Sequence, residues 1–125
     1  VEIARLGVKL GALPETFAGL SGIGDLVVTC NSQHSRNRRA GIQIGQGISP
    51  EQVVKSTKMV IEGIATTQAV VPMARKYDIE MPITEQVYAI LFERKKPIDA
   101  VGDLMGREGK HEMEEVVSYY NYNKW

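Results

Sequence analysis

Five side chains within one short segment carry groups that could bind an anion or move a proton: Asp25, Thr29, Ser35, Arg36 and Asn37. Asp25 and Thr29 are four residues apart, so on a helix both would project from one face. A carboxylate in this place can hold a proton-bearing substrate group or a catalytic amine. The alternative is structural: Asp25 caps its helix or pairs with a nearby arginine. The spacing favours neither interpretation over the other.

The tripeptide Ser35-Arg36-Asn37 has the composition of an anion-binding helix start. A helix N-terminus presents unbonded N–H groups and the positive end of the dipole, which favours phosphate. Ser35 adds a hydroxyl, Arg36 a guanidinium that can bond two phosphate oxygens, and Asn37 an amide donor. The alternative is a capped, solvent-exposed helix start. Three arginines at positions 36–39 oppose the dipole there, and this favours binding because an anion would compensate them.

Local signals predict where the helices that carry these residues begin. Ser35 is a good N-cap for a helix through Ile44. The run Ser49-Pro50-Glu51-Gln52 combines an N-cap serine, a proline at the first position and a capping-box glutamine. Pro82 and Pro97 each open a further helix. These prolines and the short connections predict a compact, multi-helix, all-α domain.

Apolar residues at helical spacing predict which faces are buried. Residues 21–30 are apolar enough for a buried helix with Cys30 as a small buried side chain, although Leu26-Val27-Val28 is also compatible with a short strand. A helix is predicted from Glu62 to Tyr77, kinked or interrupted at Pro72. No hairpin is predicted, because no alternating run lies between suitable turn residues. The predicted apolar faces are Ile3, Leu6 and Leu10; Ile64, Val71 and Ala74; Ile83, Val87, Ile90 and Leu91; and Ile98, Val101, Leu104 and Met105.

Composition narrows the function classes. The 125 residues suit one ordinary globular domain, with 43% hydrophobic and 24% charged residues. The formal net charge is zero, which argues against nucleic acid as a partner. One cysteine excludes an intrachain disulfide, and two distant histidines predict no metal site. No apolar run approaches the roughly 20 residues of a membrane span, and no signal peptide is recognisable, so we expect a cytoplasmic protein.

Several motifs together resemble one enzyme family. Those motifs are Gly19-Leu-Ser-Gly-Ile-Gly-Asp25-Leu, Thr29-Cys30, Ser35-Arg36-Asn37-Arg38, Pro14-Glu-Thr-Phe17, Val60-Ile-Glu62-Gly63, Glu80-Met-Pro82-Ile83, Val87-Tyr88 and Leu104-Met-Gly106-Arg107. In this order they are similar to the bacterial-type NAD(P)-dependent glycerol-3-phosphate dehydrogenases over about residues 1–113. The family has an N-terminal Rossmann domain and a C-terminal helical domain similar to that of 6-phosphogluconate dehydrogenase. The resemblance implies that residues 1–125 are the C-terminal substrate-binding domain alone.

The resemblance also implies roles for individual residues. The family interconverts dihydroxyacetone phosphate and sn-glycerol 3-phosphate with NAD or NADP, in glycerol-3-phosphate metabolism and phospholipid biosynthesis. A catalytic lysine, which would precede Val1, acts as general acid and base. The resemblance implies that Asp25 and Thr29 support this lysine, that Asp25, Ser35, Arg36 and Asn37 bind substrate, and that Arg36, Val60 and Glu62 contact the cofactor. It implies no metal.

We also expect this chain to need a partner domain for activity. The chain's own N-terminal Rossmann domain is the expected partner, and the resemblance leaves room for a homodimer. Without that domain and the lysine, the chain alone is expected to be inactive.

The residues alone leave two other functions open. One is a helical nucleic-acid-binding module that uses residues 34–39. The other is a structural interaction domain in which Asp25 and Arg36 form an internal pair. The aromatic residues Tyr119, Tyr120, Tyr122 and Trp125 are predicted to pack a terminal segment.

Overall fold

The computed structural model describes residues 1–107, and these form helices joined by short turns, with no strand in this range. The predicted all-α fold is therefore confirmed. The aromatic tail and His111 lie outside the described residues. The helices are α1 (Glu2–Lys9), α2 (Glu15–Ala18), a π-helical segment (Leu20–Gly24), α3 (Asp25–Asn31), α4 (Arg36–Gly45), α5 (Pro50–Lys55), α6 (Glu62–Lys76), α7 (Pro82–Phe92) and α8 (Pro97–Met105).

The helix starts follow the sequence signals. The Ser35 hydroxyl accepts the backbone N–H of Arg38 at 3.2 Å and begins α4. Ser49 and Gln52 form the reciprocal capping box of α5, each side chain accepting the other's backbone N–H at 3.3 Å. Prolines occupy the first turns of α5, α7 and α8, where no N–H is needed. These predictions are confirmed.

The core lies where α6 and α7 pack together, with α8 on α7 and α1 against the start of α7. Val71 is fully buried in α6, and Ala74, Ile79 and Met81 form a buried cluster beside it. Arg5 of α1 is buried and donates from Nη1 to the Glu80 carbonyl at 3.1 Å. Burial of these apolar side chains and this long-range hydrogen bond hold α6 against α7. The N-terminus of α6 carries Glu62 and Gly63.

Burial predictions were wrong on four segments, among them α7, where Ile83 and Val87 are 59% and 40% exposed. Residues 21–30 are helical but not buried: Val28 is 71% exposed and Cys30 is exposed. Most of the predicted inward face of α8 points outward, since Ile98, Val101 and Met105 are 74%, 55% and 81% exposed and only Leu104 is half-buried. The first helix likewise exposes Ile3 and Leu10, by 57% and 53%.

The physical reason is clearest in α8. Pro97, Ala100 and Leu104 also repeat at helical spacing, and this smaller face is the one turned inward, with Ala100 only 2% exposed. A short helix with apolar residues on two faces can pack on either, and the small face allows the closer approach. In α6 the chain stays helical through Pro72, so the helix is not interrupted there; Pro72 is exposed, and solvent can bond the carbonyl that loses its N–H partner.

Candidate functional site

Two helix N-termini, those of α4 and α6, are joined side by side by consecutive residues of α4. The Arg36 guanidinium donates from Nη1 to the Val60 carbonyl at 2.9 Å. The Asn37 side-chain oxygen accepts the backbone N–H of Gly63 at 3.0 Å. These two hydrogen bonds span 24 and 26 residues of sequence, and they place the positive ends of both helix dipoles next to each other.

Asn37 serves as a cap for a helix to which it does not belong. The N-cap residue of α6 is Ile61, whose side chain cannot accept a hydrogen bond, so the first N–H groups of α6 need another acceptor. Asn37 Oδ1 supplies that acceptor at Gly63. Thr67 is 8% exposed, and its hydroxyl donates to the Gly63 carbonyl at 2.7 Å. This hydrogen bond stabilises the first turn of α6 from its buried side.

A cavity of about 210 Å³ opens at this junction, and its lining residues are Thr29, His34, Ser35, Arg36, Asn37 and Glu62. The hydroxyl, guanidinium and amide groups, together with the dipole of the 10-residue α4, favour an anion. The Glu62 carboxylate instead accepts hydrogen bonds and repels a second negative charge. The lining therefore suits a ligand that carries both an anionic group and hydroxyl groups.

The predicted site residues fall into two groups. Thr29, Ser35, Arg36, Asn37 and Glu62 line the cavity together. Val60 is not a lining residue, and its backbone carbonyl holds Arg36.

Asp25 lies four residues before Thr29 on α3, outside the cavity lining. Arg36 bonds the Val60 carbonyl rather than a carboxylate, and within residues 1–107 no ion pair joins Asp25 to Arg36. Asp25 also does not cap α3, because the N-cap residue is Gly24. The structural alternatives proposed for Asp25 are therefore not formed, and its side chain is exposed to solvent.

Sequence reasoning missed two residues of this junction. His34 lines the cavity, and its position directly before the N-cap serine was the available signal. Gly63 contacts Asn37, but no local pattern shows a contact across 26 residues. In the described part of the chain, no group of three His, Cys, Asp or Glu residues could hold a metal ion.

A larger cavity of about 300 Å³ also borders Asn37, but its chemistry is different. It lies between α4, α6, α7 and α8, and its lining includes Ala40, Ile44, Ile64, Val87, Ile90 and Leu91. Such a lining offers no charged partner for an anion. Of these two cavities, the smaller polar one is the candidate binding site for an anion.

The segment around Asp25 presents what we call the apolar surface: Leu20, Ile23, Leu26, Val27 and Val28. These five side chains are exposed by 90%, 58%, 48%, 52% and 71%, respectively. An exposed apolar patch of this kind is rare on a free-standing domain and marks an interaction site. Asp25 lies in the middle of it.

Fold and cavity together define an all-helical domain with a polar pocket at two helix N-termini and without a dinucleotide fingerprint. Residues 1–102 match the family model described as NAD-dependent glycerol-3-phosphate dehydrogenase C-terminus, and the chain belongs to this family. No helix among the described residues combines the length and apolarity that crossing a membrane requires.

Individual relatives agree with the family match. The chain is 63% identical over 115 residues to a glycerol-3-phosphate dehydrogenase (NAD(P)+) of Halalkalibacterium halodurans, covering 92% of this chain and 33% of that protein. It is 57% identical over 115 residues to the same-named protein of Pelotomaculum thermopropionicum, with the same coverage of 92% and 33%. The crystal structure of glycerol-3-phosphate dehydrogenase from Coxiella burnetii matches with a TM-score of 0.81 at 42% identity, over 85% of this chain and 33% of that one. The chain thus spans about a third of the length of these relatives.

Proposed function

We propose that this chain is the C-terminal, substrate-binding part of an enzyme that interconverts dihydroxyacetone phosphate and sn-glycerol 3-phosphate with NAD or NADP. The observation that carries the proposal is the polar cavity in which Ser35, Arg36 and Asn37 face Glu62. This pairing of anion donors with a hydroxyl acceptor matches a small phosphate ester that bears hydroxyl groups. The names of the 63% and 57% identical relatives support the same reaction.

In this proposal the substrate phosphate lies at the N-terminus of α4. The Ser35 hydroxyl, the Arg36 guanidinium and the Asn37 amide donate to its oxygens, and the helix dipole adds a favourable field. Arg36 is held by its bond to the Val60 carbonyl, so it meets the phosphate with little loss of side-chain freedom. Binding therefore rests on groups that the fold has already oriented.

The cofactor is proposed to reach the same junction from its α6 side. Glu62 offers a carboxylate to hydroxyl groups, Arg36 offers a charge to a phosphate, and Val60 lies beside them with 68% of its surface exposed. These groups fit the polar parts of a nicotinamide dinucleotide. When bound, that cofactor supplies or removes the hydride at C2 of the substrate.

Proton transfer is proposed to involve a lysine from outside this chain. Reduction of the substrate carbonyl adds a hydride to C2 and a proton to its oxygen, and the described cavity lining contains no lysine to deliver that proton. Asp25 and Thr29 share a face of α3 and would orient such a lysine. The apolar surface around Asp25 gives the rest of a longer polypeptide a place to pack, which would bring the lysine near.

The proposed partner is thus the remainder of the same polypeptide, a nicotinamide-binding domain. A homodimer and a cytoplasmic location stay predictions. The nucleic-acid alternative has less support, since Arg36 of the basic residues at positions 36–39 lines the proposed anion cavity and the net charge is zero.

A direct assay tests the proposed function. The full-length protein that carries this chain is mixed with NADH or NADPH and dihydroxyacetone phosphate, and cofactor oxidation is followed by absorbance. We expect substrate-dependent oxidation and sn-glycerol 3-phosphate as product. Dihydroxyacetone without its phosphate is the control and should react far more slowly, because the cavity loses its anionic ligand. Equal rates with both substrates, or no oxidation at all, would contradict the proposal.

A further inference from the structure

We propose that Gly63 is a positioning residue that sets which atom of the Asn37 amide faces the anion. The proposal rests on the proposed function in that it assigns Asn37 to the bound phosphate. It concerns a glycine that touches no ligand and acts only through its neighbour. Three observations carry it: a hydrogen bond, a close approach and the missing cap of α6.

The hydrogen bond fixes the amide's orientation. An asparagine side chain has an acceptor oxygen and a donor nitrogen, and a half-turn of the amide exchanges them. The backbone N–H of Gly63 is a donor, so at 3.0 Å it requires Oδ1 and excludes Nδ2. With the oxygen directed to Gly63, the Nδ2 donor is the amide group left for a phosphate oxygen. The opposite orientation would turn an acceptor towards the anion and repel it.

The close approach explains why the position is a glycine. A Cβ atom on Gly63 would lie 2.9 Å from Asn37 Oδ1 and 3.0 Å from Cγ, which is too close for real atoms. The three nearest atoms outside its own helix backbone all belong to the Asn37 amide group, the third being Nδ2 at 3.3 Å. An alanine would therefore displace a mobile side-chain end rather than backbone. The fold would survive and the amide would move.

The missing cap explains why the two residues meet. Ile61 cannot cap α6, so the N–H of Gly63 in its first turn takes an acceptor from α4. One hydrogen bond therefore satisfies a helix end and orients a ligand-binding group. Asn37 therefore turns its Nδ2 donor to the anion only when α4 and α6 are packed as in this structure. Ligand binding is thereby coupled to the packing of these two helices.

The experiment compares Gly63→Ala with Gly102→Ala in the full-length protein. Gly102 lies inside α8, and a Cβ there meets nothing within 4 Å, so it controls for the glycine-to-alanine change itself. We expect Gly63→Ala to raise the KM for dihydroxyacetone phosphate about tenfold, the loss of one charged hydrogen bond, with kcat changed less and Tm close to that of the control. An unchanged KM would overturn the proposal.

A double-mutant cycle separates positioning from general damage. Asn37→Ala removes the amide, so adding Gly63→Ala to it should raise the KM no further. Independent, multiplicative effects would mean that Gly63 acts by another route, and would overturn the proposal.

A binding measurement separates this proposal from the proposed function. The dissociation constant of inorganic phosphate, measured by calorimetry, should also rise about tenfold in Gly63→Ala and stay unchanged in Gly102→Ala. If the wild-type protein binds phosphate in this way but does not oxidise NADH with dihydroxyacetone phosphate, the proposed function fails while the role of Gly63 stands. If the wild-type protein oxidises NADH with dihydroxyacetone phosphate but binds no inorganic phosphate, the proposed function stands while the role of Gly63 fails.

Discussion

The guanidinium of Arg36 donates a hydrogen bond from Nη1 to the Val60 carbonyl oxygen at 2.9 Å, although 24 residues separate the two. This bond uses one of the five N–H groups of the arginine and holds the planar head in place. An unrestrained arginine loses about 2 kcal/mol of side-chain entropy when it is fixed. Because the fold has already fixed Arg36, a bound phosphate does not have to supply that free energy again.

Arg36→Lys should therefore weaken substrate binding although the charge is kept. A lysine ammonium is a compact charge without the planar, forked donors of a guanidinium. It cannot bond the Val60 carbonyl and a phosphate in the same planar geometry. We expect the KM for dihydroxyacetone phosphate to rise by at least about tenfold in the full-length enzyme, with little change in Tm. Arg38→Lys, an exposed position on the same helix, is the control. Equal KM values for the two variants would contradict the role of Arg36.

Substitutions of Ser35 should separate helix capping from anion binding. Ser35→Ala removes the acceptor for the Arg38 N–H and should destabilise the protein by about 1 kcal/mol. Ser35→Asp keeps a good cap but puts a negative charge in the cavity, so stability should be retained while binding of inorganic phosphate is lost. Urea unfolding measures the first effect and calorimetry the second. Phosphate binding that persists in Ser35→Asp would rule out this end of α4 as the anion site.

Glu2 should stabilise the domain far from the site. Its carboxylate accepts the backbone N–H groups of Ile83 at 2.5 Å and Thr84 at 2.9 Å, and the Thr84 hydroxyl at 2.6 Å. It thereby caps α7, whose N-cap residue Met81 makes no side-chain cap. Glu2→Ala should cost about 1–2 kcal/mol of unfolding free energy. Glu15→Ala, an exposed glutamate in the first turn of α2, should cost much less. Equal losses for both variants would show that the Glu2 cap contributes nothing.

Features that depend on neighbouring residues were predictable from the sequence. The Ser35 cap, the Ser49–Gln52 capping box and the three proline helix starts each need only a few consecutive residues, and all are present. The grouping of Ser35, Arg36 and Asn37 at one cavity follows from the same local geometry, because all three lie at one helix end.

Features that depend on packing were not predictable in this way. The outward face of α8 is as apolar as its inward face, so periodicity alone could not say that Ala100 and not Ile98 is buried. The Asn37–Gly63 contact joins two helices across 26 residues, and no spacing rule reaches that far. For residues 20–28 the apolar pattern predicts burial that the structure does not show, because nothing among residues 1–107 packs over these side chains.

The chain by itself should have no dehydrogenase activity. It offers Asp25, Thr29 and the anion cavity, but in the proposal the lysine and most of the cofactor site come from the remaining two thirds of the polypeptide. NADH mixed with dihydroxyacetone phosphate and the isolated chain should be oxidised at the background rate. The full-length protein at the same concentration is the positive control. Clear turnover by the chain alone would contradict the proposal that the active site is divided between this chain and the rest of the polypeptide.

Val28→Asp should have different effects in the isolated chain and in the full-length protein. In the chain alone Val28 is 71% exposed, so a charge there should leave Tm unchanged within about one degree and lower binding of an apolar dye. In the full-length protein the same position is proposed to be covered, and an unpaired carboxylate under an apolar cover should lower Tm by several degrees.

Ile98→Asp provides the matched control for this prediction. Ile98 is 74% exposed, nearly as much as Val28, but it lies on α8 and outside the apolar surface. Its substitution should shift Tm little in either protein, since it removes the same kind of side chain without uncovering or charging the proposed contact. If Val28→Asp shifts the Tm of the full-length protein as little as Ile98→Asp does, the apolar surface is not where the remaining polypeptide packs. The proposed approach of a lysine to Asp25 would then lose its structural basis, because Asp25 lies between the same exposed side chains.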